Sequence, residues 1–233
     1  MKNKVTNNLI IIGIHETAEH LSAFVEEYSL FNIIGYAVNS KYKDIDTFLG
    51  KPVFEIEKLS SVIDKENDFL FVSLLWNHLN GDRRRLYESL KKEGYKFANL
   101  ISPKASVKGD INGDNNWIND YVITGAYSEI GSNCYMMSFS MLGHHARLES
   151  HCFVGAKSII GGCCVVGEQT FIGLNATIFG GMKIGKKCIV GACTGVKRDM
   201  PNFSSWKTGS DYIIKTYDET IIEEKLVTQK QIH

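Results

Sequence analysis

The second half of the chain places an aliphatic residue or Met at every sixth position, and this repeat constrains the fold more than any other feature. Twelve consecutive positions follow the rule, and glycine comes directly after eight of them. An amphipathic helix repeats every 3.6 residues and a hairpin array shows paired turn signals, so the period predicts a β-solenoid. We expect the glycines to lie where the chain bends, because they carry no Cβ. Ile111, Trp117 and Ile123 are predicted as earlier turns, one residue out of register. The twelve positions are Ile130, Met136, Leu142, Leu148, Val154, Ile160, Val166, Ile172, Ile178, Ile184, Val190 and Val196.

The first half has a different pattern, in which short apolar runs alternate with amphipathic stretches. Residues 9–12, 33–38 and 69–74 are predicted as buried strands. A helix is expected after the first strand, and a second one is expected to begin with Asp82 as its N-cap. Strands that alternate with helices are typical of a parallel sheet, so this half is predicted to be α/β.

The composition excludes several partners. The 26 basic and 26 acidic residues balance, so no net field favours nucleic acid or an anionic membrane. No apolar run approaches the roughly 20 residues that span a bilayer. The first residues are polar and do not follow the pattern of a signal peptide. We therefore expect no nucleic acid, no membrane and a cytoplasmic location.

The cysteines predict packing and no disulfide framework. All six lie in the second half, and none has CxxC spacing. Four of them are separated by multiples of six residues, so they occupy one slot of the repeat, where a small side chain packs in the core. These four are Cys134, Cys152, Cys164 and Cys188.

The hexapeptide array resembles the left-handed β-helix acyltransferases, in which three hexapeptides form one triangular coil. With an α/β half in front of it, the chain resembles the NeuD/PglD-like sugar acyltransferases more specifically. The resemblance implies a small Rossmann-like sheet in residues 1–102, a left-handed parallel β-helix in residues 103–212 and a C-terminal helix in residues 213–233. It also implies a homotrimer that uses acyl-CoA, most simply acetyl-CoA, to acylate the amino group of a nucleotide-linked deoxysugar.

Thioester aminolysis requires a base and a donor for the developing oxyanion, and histidine is the natural base near neutral pH. The segment Leu-Gly-His-His-Ala-Arg at 142–147 resembles the family block in which a His and an acidic residue supply the base. His144 takes the place of the base, and His145 stands where the acidic residue is usual. In an 18-residue coil, Gly162 stacks on His144. The resemblance implies that Gly143, Gly161 and Gly162 line the thioester.

The front half carries the candidate substrate-binding residues. In the resembling family, a glycine-rich turn after the first strand cradles the diphosphate of the sugar nucleotide. Here that turn begins at Gly13 and places His15 among larger residues, and Asn39 follows the second strand in place of an acidic pair. Trp76 is a candidate for stacking on a base, although packing against the domain is the alternative. Arg83 and the two arginines after it face either phosphate or solvent.

Other functions stay open at this point. O-acylation is the nearest rival, and a non-catalytic oligomeric binding protein is the alternative from another class. Some hexapeptide β-helices resemble γ-class carbonic anhydrases, which bind zinc through three histidines. Here His144, His145 and His151 lack the HxxxxH spacing, so no metal is expected. In the tail, residues 209–212 replace the family's Gly-x-Pro-Ala motif, and Thr220 with Glu223 predicts a capping box.

Overall fold

The computed structural model describes residues 7–207 and 214–225, and the chain divides into two units. The front unit comprises the described residues up to Leu75 together with Arg85–Leu100. The β-helix unit comprises Trp76–Arg84 and the described residues from Ile101 onward. The division falls close to the predicted boundary at residue 102, but the segment 76–84 groups with the β-helix.

The front unit is built on a five-stranded sheet with the order β3-β4-β2-β1-β5. β1 pairs in parallel with both β2 and β5, and only the short β3 is antiparallel to its neighbour. Residues 9–12 of β1 are fully buried, which explains why these four positions are all apolar. The predicted parallel α/β architecture is confirmed. The strands are β1 (Asn8–Ile12), β2 (Asn32–Val38), β3 (Thr47–Phe48), β4 (Lys51–Glu55) and β5 (Phe69–Val72).

The helices begin close to the predicted positions. α1 (Glu16–Glu27) follows β1 and buries Leu21, Phe24 and Val25 on the face at helical spacing. α2 spans Gly81–Lys92, so Asp82 lies inside its first turn and the predicted N-cap is wrong. The Asp82 carboxylate instead accepts a hydrogen bond from His78 Nδ1 at 2.9 Å. Two short 3-10 helices, Ser40–Tyr42 and Ile56–Ser61, complete the front unit.

The β-helix unit is a parallel solenoid with three faces, and each coil contributes one short strand to each face. Residues 18 apart pair along the axis, as Met141 does with Ile159. The apolar face contains β7 (Ser106–Val107), β10 (Ile123–Thr124), β13 (Met141–Leu142), β16 (Ile159–Ile160), β19 (Thr177–Ile178) and β22 (Gly195–Val196). The charged face contains β8 (Asp110–Ile111), β11 (Glu129–Ile130), β14 (Arg147–Leu148), β17 (Val165–Val166) and β20 (Lys183–Ile184). The aromatic face contains β6 (Leu100–Ile101), β9 (Trp117–Ile118), β12 (Tyr135–Met136), β15 (Phe153–Val154), β18 (Phe171–Ile172), β21 (Ile189–Val190), β23 (Ser204–Trp206) and the antiparallel β24 (Ile214–Thr216).

The interior is filled by the twelve repeat positions and by the small residues four places after them. The four cysteines predicted to pack in the core are fully buried, so that prediction is confirmed. Their residue type has a further reason, because the four cysteines and several other small donors in this slot reach the backbone of the next coil. Cys164 Sγ donates to Phe179 O at 3.0 Å, Ser158 Oγ to Gly173 O at 2.7 Å, and Thr170 Oγ1 to Gly185 O at 3.0 Å. These carbonyls lie at bends, so the side chains satisfy buried backbone groups.

The corners show why glycine follows the repeat positions. The residue with positive φ lies three places after a repeat position, as Asn133 (φ 58) does after Ile130 and Phe139 (φ 64) after Met136. A Cβ on Gly143 would come within 2.4 Å of Gly162 N, and one on Gly161 within 2.6 Å of Gly180 N. The glycines therefore lie at the bends as expected, and the clash that they avoid is with the backbone of the neighbouring coil.

The positions just before Ile130 keep the main register, whereas Ile111 pairs with Ile130, 19 residues away, and is one residue out of register as predicted. Thr124 and Ile118 occupy the interior slots six and twelve residues before Ile130, whereas Ile123 is exposed on the outer surface. The predicted register for Trp117 and Ile123 is thus wrong by one residue. The polar Thr124 concealed the pattern, and its Oγ1 accepts hydrogen bonds from the N–H groups of Lys108 and Gly109.

A short helix, α3 (Glu219–Glu224), ends the described part of the chain. Its N-cap is Asp218, whose carboxylate accepts from Thr220 N, so the predicted capping box at Thr220 is wrong. Residues 209–212, which replace the family's tail motif, lie outside the described residues. Within the described parts of the chain, no helix has the length and apolar character to cross a membrane.

Candidate active site

The predicted catalytic residues lie at one corner of the β-helix, between the apolar face and the charged face. Successive coils place Gly143, Gly161, Gly162, Gly180 and Gly181 along this edge, which we name the glycine corner. A Cβ on Gly181 would meet nothing within 4 Å. The edge beside His144 therefore has no side chain at these glycine positions, with the exposed Cys163 next to them, and an extended ligand can approach the backbone closely there.

The His144 side chain is exposed and lies over the next coil. A Cβ built on Gly162 would be 2.6 Å from His144 Nε2 and 2.8 Å from its Cε1. A backbone hydrogen bond connects the two coils at this position, in which Cys163 N donates to His144 O at 2.8 Å. Gly162 thus makes room for the imidazole, and Nε2 is the ring nitrogen that faces the glycine corner.

His145 is adjacent to His144 in space as well as in sequence. The two Nδ1 atoms are 3.1 Å apart, and the rings meet edge to face. His145 has φ 55, the left-handed conformation of every corner residue in this slot. Its ring packs on Tyr127, one coil earlier, with centroids 4.8 Å apart. In the described residues, no carboxylate contacts either imidazole, so the partner of His144 is a second imidazole.

A backbone donor lies beside the imidazole. Gly181 N donates to Gly162 O at 2.8 Å, whereas Gly162 N makes no backbone hydrogen bond with the described residues. An N–H at a solvent-exposed corner is available to a ligand oxygen. The arrangement can therefore offer a base and a hydrogen-bond donor to one reacting carbonyl.

The faces on the two sides of the glycine corner differ in character. On the apolar face, Ile123, Met141 and Ile159 form an outward column and are 47%, 37% and 44% exposed. On the charged face, an open cavity of about 360 Å³ is lined by polar groups that include Glu129 and Arg147. Exposed apolar surface of this kind is typical of an interaction site, because a partner that covers the column would remove it from water.

In the front unit, the turn after β1 is occupied by a side chain. Gly13 has φ 127, a conformation that requires glycine, and a Cβ there would be 2.9 Å from His15 Nε2 and 2.5 Å from Ser73 Oγ. His15 Nε2 is buried and has no hydrogen-bond partner among the described residues. Burial lowers the pKa of His15 below its usual value of 6.5, so the ring stays neutral near pH 7.

Asn39 lies after β2, where the sequence has no acidic pair. The Glu57 carboxylate, from a later segment of the chain, is nevertheless close to it. Asn39 Nδ2 lies 3.4 Å from Glu57 Oε1, and Ser40 N donates to Glu57 Oε2 at 3.0 Å. Hydrogen bonds from its own N–H, from Ser40 and from Asn39 hold the pKa of Glu57 below its usual value. Sequence reasoning missed Glu57, because it comes from a 3-10 helix and lies 18 residues after Asn39.

Trp76 and Arg83 belong to the β-helix unit and pack on its aromatic face. Trp76 packs edge to face against Phe153 and Phe171, with centroids 4.8 and 5.9 Å away. Arg83 is fully buried, and its guanidinium lies 4.0 Å from the centre of the Tyr135 ring. Packing is the alternative that the sequence left open for Trp76, and its stacking on a base stays a prediction. The prediction that Arg83 faces phosphate or solvent is wrong, because the side chain is fully buried. Both side chains pack on the aromatic face. Its rings bury the apolar surface of Trp76 and stabilise the positive charge of Arg83.

Tyr127 was also missed, although the sequence contained a signal for it. It stands 18 residues before His145, which is the same stacking distance that connects His144 with Gly162. Counting one coil length backward from His145, as well as forward from His144, identifies Tyr127.

The fold and this corner define a class: a hexapeptide-repeat acyltransferase architecture, with a parallel β-helix that follows a small α/β unit. The family described as "Hexapeptide repeat of succinyl-transferase" matches residues 164–196. A search of the curated proteins gives no match.

Solved structures match nearly the whole chain. A mutant of perosamine N-acetyltransferase from Caulobacter crescentus, in complex with CoA and GDP-perosamine, has a TM-score of 0.79 at 25% identity, covering 90% of this chain and 97% of that one. The acetyltransferase domain of PglB from Neisseria gonorrhoeae, with acetyl coenzyme A, has a TM-score of 0.74 at 18% identity, covering 86% and 96%. WeeI from Acinetobacter baumannii has a TM-score of 0.75 at 16% identity, covering 90% and 100%.

At such identities, the PglB and WeeI structures establish the shared fold alone. All three matches confirm the left-handed β-helix, and the match at 25% identity confirms the resemblance to the NeuD/PglD-like sugar acyltransferases.

Proposed function

We propose that the protein is an acyl-CoA-dependent N-acyltransferase that acts on the amino group of a nucleotide-linked deoxysugar. The observation that carries this proposal is the position of His144: its Nε2 lies over Gly162, at the glycine corner. The similar enzyme from Caulobacter crescentus, solved with CoA and GDP-perosamine, supports both substrate classes.

The reaction needs no enzyme nucleophile. The amine nitrogen of the sugar attacks the thioester carbonyl, and His144 Nε2 accepts the proton that the nitrogen loses. Gly162 N–H donates to the oxyanion of the tetrahedral intermediate. When the C–S bond breaks, the imidazolium returns a proton to the departing thiolate, which gives the amide and free CoA. Alignment of the two substrates supplies most of the rate, and the base adds about 10²–10⁴-fold.

We assign the thioester arm to the glycine corner, with Gly143, Gly161 and Gly162 against it. Two observations support this assignment. A Cβ on Gly180 would be 3.3 Å from Gly162 O, and one on Gly181 would meet nothing within 4 Å, so the edge is open beyond His144. An acyl-CoA arm is long and thin, so it suits a narrow strip along a β-helix edge. The reaction would take place in the cytoplasm, where acyl-CoA is available.

We assign the nucleotide to the front unit, at the carboxyl ends of β1 and β2, where Gly13, His15 and Asn39 lie. Ligands of open parallel sheets bind at this edge, and the first turn of α1 offers unpaired N–H groups to an anion. His15 lies over Gly13, so a diphosphate at this turn requires its imidazole to move or to donate to phosphate.

We propose a homotrimer as the working form. The exposed column of Ile123, Met141 and Ile159 supports this, because it lies directly beside the glycine corner. Covering it with a second copy would bury apolar surface and turn the corner into a groove between subunits.

The test is an assay of CoA release from acetyl-CoA with paired amino and hydroxyl forms of nucleotide-linked deoxysugars. We expect turnover with the amino sugars only. His144→Ala should lower kcat by about 10²–10⁴-fold and leave the trimer mass, measured by light scattering, unchanged. His20→Ala, on α1, serves as the histidine control and should retain full activity.

Two outcomes contradict parts of the proposal. Turnover of the hydroxyl sugars alone would establish O-acylation. Absence of both acetyl-CoA binding and turnover would identify a non-catalytic binding protein.

A further inference from the structure

We infer that His145 is a positioning residue that fixes the tautomer of His144, by accepting the His144 Nδ1–H on its own Nδ1. This inference rests on the proposed function, because it concerns the base of that reaction. In the resembling family an acidic residue is usual at this position. Here the uncharged imidazole of His145 would orient the His144 ring in its place.

The hydrogen-bond chemistry of the pair leaves two arrangements. The two Nδ1 atoms are 3.1 Å apart, so one of them carries a proton and the other accepts it. If His145 donates, His144 accepts at Nδ1, and its neutral ring then carries the proton on Nε2. That arrangement makes Nε2 a donor. If His144 donates, its Nε2 has a free lone pair over Gly162. Only the second arrangement provides a base at the glycine corner.

The structure holds His145 in place from the coil before it. His145 N donates to Ala126 O at 3.0 Å, and the imidazole packs on the Tyr127 ring at 4.8 Å. The His144 ring lies over Gly162 in the coil after it. The pair thus connects three successive coils, so both rings are oriented by the regular stacking of the β-helix rather than by a loop.

An imidazole acceptor has a consequence that a carboxylate acceptor lacks. Protonation of His145 would remove its lone pair and end its ability to accept from His144, so activity requires both rings to be neutral. The other titratable groups near this corner are Tyr127 and Cys163 in the adjacent coils, and Glu129 and Arg147 at the start of the charged-face strands.

Substitutions at position 145 can separate hydrogen bonding from packing. Asn keeps an acceptor at the δ1 position, and it already occupies this left-handed slot at Asn133 and Asn175. Phe keeps a ring on Tyr127 but has no acceptor, and Phe139 shows that the slot tolerates it at φ 64. Asp provides a charged acceptor and tolerates the left-handed conformation.

The experiment compares His145→Asn, His145→Phe and His145→Asp in the full-length protein, using CoA release over a range of pH. We expect His145→Asn to retain kcat within about threefold, whereas His145→Phe lowers kcat by about 10²-fold with little change in the KM for acetyl-CoA. His145→Asp should stay active and move the acid limb upward by about one pH unit, because a nearby carboxylate stabilises an imidazolium. The three melting temperatures should agree closely.

Wild-type kcat in His145→Phe would overturn the inference, because no acceptor would then be needed. Loss of activity in His145→Asn equal to that in His145→Phe would also overturn it, and would indicate that His145 is itself the base. A wild-type protein without turnover would instead contradict the proposed function, so the two failures are distinguishable.

Discussion

At the scale of single residues, Gly162 differs from the other described glycines of the β-helix. The atoms that an added Cβ would meet there belong to an imidazole ring, whereas those near Gly143 and Gly161 belong to the backbone of the next coil. Its φ lies outside the left-handed region, so the backbone itself would accept another residue. The glycine is required at this position because His144 lies over it.

Gly162→Ala should therefore act on the site and not on the fold. A Cβ 2.6 Å from His144 Nε2 forces the ring away from the glycine corner. We expect kcat to fall by about 10–10²-fold, a large part of the contribution of a general base, while the melting temperature changes little. Steady-state kinetics and thermal unfolding measure the two effects. Gly195→Ala, where the nearest atom is a Phe179 carbon at 3.9 Å, is the matched control. Full activity in Gly162→Ala would contradict the placement of the His144 ring.

The sequence predicts the contacts of the candidate site that follow from the hexapeptide repeat. The 18-residue coil places His144 on Gly162 and Tyr127 on His145, because stacked coils keep a constant register. The contact between His144 and His145 was not predictable, since neighbours in sequence point to the same or to different partners depending on side-chain rotamers. Glu57 was equally hidden, because a hydrogen bond to Ser40 has no periodic pattern.

At the scale of elements, one corner of the β-helix is buried although its residues are polar. Asn115 donates to Asn133 at 2.7 Å, and Asn133 Nδ2 lies 2.9 Å from His151 Nδ1. The segment Trp76–Arg84 lies on this corner, where Arg83 donates to Asn133 and Arg84 to Gln169. The polar corner is stable without solvent contact, because Asn115 and Asn133 each have a hydrogen-bond partner in the next coil.

Arg83→Ala should be strongly destabilising. Arg83 Nη2 donates to Asn133 O at 3.2 Å and to Cys152 O at 3.1 Å, and Nε donates to Asn133 Oδ1. Removing the guanidinium leaves these acceptors buried without it, at a cost of about 3 kcal/mol or more. Urea unfolding of the β-helix measures this change. Arg84→Ala is the comparison, because that side chain is partly exposed and its loss should cost about 1 kcal/mol or less. Equal effects of the two variants would show that burial of Arg83 is not what matters.

At the scale of the whole molecule, buried neutral histidines connect stability with pH. Burial, reinforced by Arg84 and Arg83, lowers the pKa of His151 from 6.5 to about 3. His15 in the front unit is shifted in the same direction by burial. In the unfolded chain both rings bind protons below pH 6.5, so the unfolded state takes up more protons than the folded state in this window. Stability is therefore full above pH 6.5 and falls as the pH drops toward 3.

We expect the unfolding free energy of the β-helix to fall by up to about 1.4 kcal/mol per pH unit below pH 6.5 through His151. His151→Asn should reduce this slope, because Asn does not titrate and fits the same corner slot at Asn115 and Asn133. Urea titrations of both proteins between pH 4 and pH 7 give the two slopes. Identical slopes would mean that His151 does not resist protonation in the folded state.

The sequence by itself determined the β-helix, its 18-residue coil, the parallel α/β unit and the position of His144 on Gly162. These features follow from local periodicity, because each residue repeats the environment of the residue one coil or one turn away. Only the tertiary structure decided that His145 is the partner of His144, that Trp76 and Arg83 join the β-helix, and that glycine at the corners serves coil stacking. Those outcomes depend on contacts between segments with no common period, such as Arg83 and Asn133, which are 50 residues apart. Their energy appears only when side chains meet in three dimensions.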